Sequence, residues 1–132
     1  MDRIAIVSKD APKPVGPYSQ ALRVGPFVFI SGQIPLTPDG TMIAPGDTAK
    51  ATLENETHQV LQNIRALLAS VDLDFSDVVK INLFTTDLSQ FDTINSVYAQ
   101  YVSEPYPARA AIEVSALPKG ARIEMEAIAY VK

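Results

Sequence analysis

Apolar and polar residues follow two spacings along the chain, and together they predict six strands and two helices. Short β-branched or alternating stretches bounded by proline and glycine predict strands over residues 3–8, 20–24, 27–32, 77–84, 108–114 and 122–131. Apolar residues at helical spacing predict helices over residues 48–70 and 89–101. Asp47 or Thr48 is expected to cap the first helix. Ser89 followed by Asp92 resembles a capping box for the second.

The order of these elements predicts the fold class. Three strands come first, followed by a helix, a strand, a second helix and two strands, and no repeat or linker divides the 132 residues. A single α+β domain spanning residues 1–132, with two helices packed on one face of a mixed β-sheet, is the economical solution for this order.

Alternation along the late strands predicts which side chains face the helices. In the last strand an apolar row opposes Glu124 and Glu126. In the strand before it, the row containing Ala110 and Ile112 opposes the row containing Arg109. We therefore expect Arg109 and Glu124 to share the face away from the helices, on neighbouring strands. Two helices cannot cover that mixed face, so a subunit interface between copies of the chain is predicted.

Composition excludes several functional classes. The chain has no cysteine, so it holds no disulfide and no thiolate nucleophile, and His58 is its single histidine. The net charge is −4 and the pI about 4.8, and the sequence shows no basic stripe of the kind usual in proteins that bind nucleic-acid phosphates. No apolar run approaches a membrane span. The N-terminus, Met1-Asp2-Arg3-Ile4, lacks the pattern of a secretory signal, and the sequence predicts a cytoplasmic protein.

Two kinds of charged residue are candidates for chemistry. Arg109 follows Pro107-Ala108 at a strand start and could bind a planar carboxylate through two parallel hydrogen bonds. On position alone, an interface salt bridge to Glu113 or Glu124 is the favoured interpretation. Glu124 could act as a general base or hold a water molecule, and an ion pair across an interface is at least as good an interpretation. The residues alone leave these alternatives open.

Other residues carry weaker signals. Gly32, after Ser31 at a strand end, permits a ligand to approach the backbone, although a plain β-bulge is the commoner outcome. Tyr18 lies in a loop and could close a pocket or simply pack. Asn95 lies in the second helix, where it would face solvent or cap a loop. His58 lies opposite the leucines of the first helix and is interpreted as a solvated residue.

Five segments of the chain resemble, in order, the motifs of the Rid family (YjgF/YER057c/UK114). They are Gly16-Pro17-Tyr18-Ser19-Gln20, Ser31-Gly32-Gln33-Ile34-Pro35, Asn95-Ser96-Val97-Tyr98, Pro107-Ala108-Arg109 with Glu113-Val114 and Leu117-Pro118, and Ile123-Glu124-Met125-Glu126-Ala127-Ile128-Ala129. The resemblance implies a chorismate-mutase-like fold and a homotrimer whose sheets form a central barrel, with ligand sites between subunits. It also implies hydrolytic deamination of 2-iminopropanoate and 2-iminobutanoate to 2-oxo acids and ammonia, without a metal or cofactor.

The resemblance also assigns roles to residues. Arg109 matches the arginine that holds the substrate carboxylate, and Glu124 matches the glutamate that positions or activates water. The pocket-lining residues of the family correspond to Tyr18, Ser31, Gly32 and Asn95. Ala111 also matches a substrate-binding position, at which many active members have cysteine. A role through the backbone would survive this change, whereas any thiol-dependent property of the family is excluded.

The competing interpretations are a non-catalytic trimer that binds small molecules and an endoribonuclease or translation inhibitor. The acidic charge argues against the ribonuclease. The expected partners are therefore a small imino acid and further copies of the chain, with no nucleic acid or membrane.

Overall fold

A computed structural model describes residues 2–132, which form one six-stranded mixed sheet with two α-helices on one face. The strands are β1 Arg3–Ile6, β2 Ala21–Val24, β3 Phe27–Gln33, β4 Val78–Thr85, β5 Ala108–Glu113 and β6 Ile123–Tyr130, and the helices are α1 Ala49–Ala69 and α2 Phe91–Tyr98. The strand order is β1-β2-β3-β6-β4-β5, in which only β4 and β5 pair in parallel. The predicted α+β class is confirmed.

Helix α1 begins and ends close to the predicted positions. The hydroxyl of Thr48 accepts a hydrogen bond from the N–H of Ala51 at 3.0 Å, which identifies Thr48 as the cap. Leucine, isoleucine and valine residues at helical spacing pack on the sheet, and the most deeply buried of them are Val60, Leu61, Ile64, Leu67 and Leu68. This stripe and the inward rows of β4 and β6 form the hydrophobic core.

Helix α2 is shorter than the sequence indicates, and the expected capping box is wrong. A turn of 3₁₀-helix over Leu88–Gln90 precedes it, and Asp87 rather than Ser89 accepts the capping hydrogen bond. The Asp87 carboxylate accepts from the N–H of Ser89 at 2.9 Å. The 3₁₀ turn takes up Ser89, and α2 itself begins after Gln90 without a side-chain capping hydrogen bond, so the box from Ser89 to Asp92 does not form.

Strand β5 presents the opposite face to the one expected. In the parallel register Ile81 pairs with Arg109, and because Ile81 is buried beneath the helices, Arg109 lies on the helix side of the sheet. Ala111 shares that side, whereas Ala110 and Ile112 lie on the open side. The expected common face for Arg109 and Glu124 is therefore wrong. Alanines in both rows of this edge strand leave its hydrophobic alternation too weak to assign a face.

The open face of the sheet carries a cluster of exposed aromatic rings. The ring of Phe27 lies 6.3 Å from that of Phe29 and 5.6 Å from that of Tyr130. Ile128 pairs with Phe29, and further along the same face of β6 lie Glu126 and Glu124, which alternate with the buried core row. One chain thus leaves uncovered a sheet face that is both aromatic and charged.

Candidate active site

Arg109 is held against one side of helix α2. Its Nη1 donates a hydrogen bond to Oδ1 of Asn95 at 2.9 Å. Its Cζ lies 4.9 Å from the centre of the Tyr98 ring and 5.2 Å from that of Phe91. Asn95 therefore contacts Arg109 instead of facing solvent or capping a loop, and the guanidinium is the cationic end of a defined site.

A cavity of about 350 Å³ opens beside this guanidinium. Its walls come from the end of α2, the segment after it and the start of β5: Asn95, Tyr98, Ala99, Val102, Tyr106, Pro107 and Arg109. Apart from Arg109 and Asn95, these walls are mostly carbon. The cavity therefore combines one fixed cation with an apolar lining, an arrangement that suits a small carboxylic acid.

The salt bridges considered for Arg109 do not form within one chain. Glu113 instead accepts a hydrogen bond from the N–H of Leu88 at 2.8 Å. Across residues 2–132, the one ion pair within 4 Å joins Arg122 to Glu56. Among residues 2–132, therefore, no carboxylate lies within 4 Å of Arg109 to neutralise its charge.

Glu124 lies on the open face of β6 and leans over Gly32 of β3. A Cβ atom added to Gly32 would lie 3.0 Å from Cδ of Glu124 and closer still to its Oε2. Burial raises the pKa of the Glu124 carboxyl above its usual range, and the negative charge of Glu126 raises it further. Glu126 accepts a hydrogen bond from Nδ2 of Asn82 at 3.0 Å. Glu124 is thus a carboxylate whose proton affinity is increased.

A β-bulge brings Gly32 to this position. The pairing of β3 with β6 shifts register between Ile30 and Gln33, so Ser31 and Gly32 lie in the irregular stretch, as one of the two interpretations predicted. The hydroxyl of Ser31 donates to the carbonyl of Ser19 at 2.6 Å and ties the bulge to the preceding loop. This hydroxyl therefore has a structural partner within the chain.

Tyr18 lies on the same loop and approaches Gly32. Both residues line a narrow cavity of about 30 Å³, together with Pro12, Lys13, Val15, Gln20, Gln33, Ile34 and Leu36. The side chain of Tyr18 is 48% exposed, and its hydroxyl oxygen accepts only a long 3.4 Å hydrogen bond from the N–H of Val15. The ring and hydroxyl are therefore available at the surface of one chain.

The predicted site residues thus fall into two groups. Arg109 and Asn95 lie on the helix side at the β5 edge, whereas Tyr18, Gly32 and Glu124 lie around β3 and β6. Strand β4 separates β5 from β6, so the expectation that Arg109 and Glu124 lie on neighbouring strands is wrong. Strand β4 pairs in parallel with β5 on one side and antiparallel with β6 on the other, which leaves β5 at the edge of the sheet.

Sequence reasoning missed the aromatic partners of Arg109. The available signal was the spacing of Phe91, Asn95 and Tyr98, which places all three on one side of a helix. His58 is also less solvated than expected: its Nδ1 lies 2.7 Å from the hydroxyl of Tyr101, within hydrogen-bond distance.

No cluster of three or more metal-ligating His, Cys, Asp or Glu side chains occurs between residues 2 and 132. Over the same span, every helix is too short or too polar to cross a bilayer.

The fold and the cavity beside Arg109 define a small α+β protein with an arginine in its candidate binding pocket. Comparison with known proteins places it in a family. A family model described as endoribonuclease L-PSP matches residues 8–131, and the chain belongs to that family. It is 45% identical over 130 residues to a RutC family protein of Pyrococcus abyssi, covering 98% of each chain. It is 43% identical over 127 residues to the 2-iminobutanoate/2-iminopropanoate deaminase of Bos taurus, covering 96% of this chain and 89% of the relative.

A solved structure confirms the fold and the resemblance to the Rid family. RidA from an Antarctic Psychrobacter species superposes with a TM-score of 0.87 at 42% sequence identity, covering 97% of this chain and 99% of that one. The Rid family identified from the sequence motifs is therefore the family to which this chain belongs.

Proposed function

We propose that this protein hydrolyses reactive 2-imino acids, such as 2-iminopropanoate and 2-iminobutanoate, to 2-oxo acids and ammonia. The observation that carries this proposal is the position of the Arg109 guanidinium beside a mostly apolar cavity. Arg109 extends from β5, is held against α2 by its hydrogen bond to Asn95, and forms no ion pair with a carboxylate of residues 2–132. The name of the bovine relative supports the same reaction.

Arg109 suits the carboxylate that these substrates share. A guanidinium presents its N–H groups in a planar fork that matches the two oxygens of a carboxylate. Asn95 occupies one of those donors and leaves others for a ligand. The carbon-lined walls of the cavity then accommodate a methyl or ethyl group, so we assign Arg109 to carboxylate binding and Asn95 to the pocket.

Glu124 suits the hydrolytic step. Water adds to the imine carbon, the C–N bond breaks, and the nitrogen leaves as ammonia while the carbon becomes a ketone. Glu124 would take a proton from the attacking water and return it to the departing nitrogen. An increased proton affinity favours this exchange, and the raised pKa of Glu124 supplies it. Tyr18, Ser31, Gly32 and the backbone of Ala111 would complete the pocket.

We infer that the two groups of residues meet between subunits of a homotrimer whose sheets form a central barrel. Arg109 and Glu124 do not face each other within one chain, because β4 separates their strands. The exposed aromatic side chains of Phe27, Phe29 and Tyr130 would be buried by packing against another subunit. Sedimentation equilibrium should give about three times the chain mass of 14.3 kDa. A monomer at micromolar concentration would contradict this inference.

The proposed reaction is tested by coupling the protein to a threonine dehydratase and following imine loss and 2-oxobutanoate release. Arg109→Ala should abolish the acceleration, and Arg109→Lys should also fail because an ammonium cannot make the paired contact. Arg65→Lys is the matched control, since Arg65 also stacks on a tyrosine, with Cζ 4.6 Å from the ring centre of Tyr101, but lies outside the cavity. Near wild-type turnover in Arg109→Lys would refute the carboxylate fork.

The description of the family model keeps an endoribonuclease as the second candidate. The net charge of −4 disfavours binding to a polyanion. RNA cleavage by highly purified protein that persists at high salt would support this candidate. Binding of 2-oxobutanoate without any acceleration of imine loss would instead indicate a non-catalytic binding protein.

A further inference from the structure

Three side chains of helix α2 contact the Arg109 guanidinium. Phe91, Asn95 and Tyr98 are spaced four and three residues apart, so they project from one side of the helix. Both ring centres lie within about 6 Å of Cζ, the range of a cation–π contact, and Asn95 accepts a hydrogen bond from Nη1. The guanidinium therefore has both aromatic and polar contacts to the same helix.

These contacts restrict different motions of the guanidinium. Aromatic rings near Cζ attract the cation and oppose its departure toward solvent. The directional hydrogen bond to Asn95 opposes rotation of the guanidinium within its own plane. We propose that Phe91 and Tyr98 are positioning residues which, with Asn95, hold Arg109 in one orientation for a substrate carboxylate. This inference rests on the proposed function and assigns roles to two side chains to which the family resemblance assigns none.

The environment of Tyr98 indicates that its ring, rather than its hydroxyl, is what the site uses. Tyr98 is 7% exposed, and its hydroxyl oxygen is buried with no hydrogen-bond partner among residues 2–132. A buried hydroxyl without a partner disfavours folding, so it gives no reason for tyrosine at this position. The ring contacts Arg109 directly.

Conservative and non-conservative variants separate positioning from packing. Tyr98→Phe keeps the aromatic ring and removes only the unpaired hydroxyl. Tyr98→Leu and Phe91→Leu keep apolar bulk and remove the aromatic face beside Arg109. If the rings served only to fill space, leucine would substitute well at both positions. If the rings position the cation, Tyr98→Phe should keep the function of the wild type, and both leucine variants should lose part of it.

The first measurement is the affinity of the full-length, assembled protein for 2-oxobutanoate, by isothermal titration calorimetry. Tyr98→Leu and Phe91→Leu should each bind about 2- to 30-fold more weakly, the range expected for loss of one cation–π contact. Tyr98→Phe should stay within about twofold of the wild type. Tyr101→Leu is the matched control, because it removes the ring beside Arg65 and should leave the affinity unchanged.

The second measurement does not depend on the proposed function. Restricted rotation of the Arg109 guanidinium is observable by ¹⁵N NMR of its side chain, and Tyr98→Leu should accelerate that rotation while Tyr98→Phe does not. Unchanged rotation and unchanged affinity in both leucine variants would overturn the positioning role. If rotation responds as expected but the wild type neither binds 2-oxobutanoate nor removes imines, the proposed function fails while the positioning of Arg109 by the rings stands.

Discussion

The carboxylate of Glu124 lies against the α-carbon of Gly32, at the point where the β3–β6 pairing shifts register. The space that a Cβ would need at Gly32 is taken by Oε2 and Cδ of Glu124. The backbone of Gly32 does not have a positive φ, so the close approach of Glu124, and not backbone conformation, accounts for glycine at this position. The glycine in this bulge of β3 therefore leaves room for the carboxylate of Glu124, the proposed base.

Gly32→Ala should lower turnover without a large loss of stability. The added methyl group meets the flexible end of Glu124 and not the backbone, so the carboxylate can rotate away at little cost to the fold. Steady-state kinetics and thermal unfolding of the same variant measure the two effects. Gly40→Ala is an unsuitable control because Gly40 has a positive φ, whereas Ala5→Gly on β1 alters a strand without approaching Glu124. Unchanged turnover in Gly32→Ala would show that the position of this carboxylate is unimportant.

Glu124→Gln should reduce kcat by about 10²-fold, the usual scale of a general base. Affinity for 2-oxobutanoate should change less, because Arg109 still binds the carboxylate. Burial raises the pKa of Glu124, so its contribution to stability is present below its ordinary pKa and is lost as pH rises through the raised value. The variant should therefore be at least as stable as the wild type at neutral pH. An unstable assembly with normal kcat would instead make Glu124 a structural residue.

The acid limb of kcat/KM should reflect both causes of the raised pKa of Glu124, burial first and Glu126 second. The base works when ionised, so activity should begin to fall at a higher pH than for an ordinary glutamate. Glu126→Gln removes the neighbouring negative charge and should move this limb to lower pH, only in part because burial remains. A pH profile of kcat/KM measures the shift. An unmoved limb would mean that the limb does not report Glu124.

The elements of the fold were predictable because their signals are local. The apolar stripe of α1 and the proline- and glycine-bounded strands lie within a few residues of their predicted ends. The position of β6 between β3 and β4 was not predictable, since it depends on contacts between distant segments. This difference matters most for Arg109, whose face follows from its pairing with Ile81 and not from alternation within β5.

The candidate site was predictable as a set of residues and not as a geometry. Motif resemblance selected Arg109 and Glu124, but their separation by β4 appears only in the folded chain. The buried partnership of Glu56 with Arg122 was missed altogether, because the two residues are 66 positions apart and neither lies in a recognisable pattern.

The Glu56–Arg122 pair should contribute measurably to stability. Glu56 is 3% exposed, and its carboxylate accepts hydrogen bonds from the backbone N–H of Arg122 at 2.8 Å and from Nη1 at 2.7 Å. Arg122→Met removes the compensating charge from a buried carboxylate. Loss of one partner of a fully buried pair costs about 3–5 kcal/mol, and the half-exposed arginine places this case at or below the lower end.

Glu56→Gln should be milder, costing about 1 kcal/mol, because the amide oxygen still accepts from the backbone of Arg122 and the half-exposed guanidinium can be hydrated. Urea unfolding at one fixed protein concentration compares the variants, since assembly makes stability depend on concentration. Arg23→Met is the matched control, because the side chain of Arg23 donates only to the carbonyl of Gly25. If Arg122→Met were no less stable than Arg23→Met, the buried pair would contribute nothing to the folded state, and the start of β6 would depend on its backbone pairing alone.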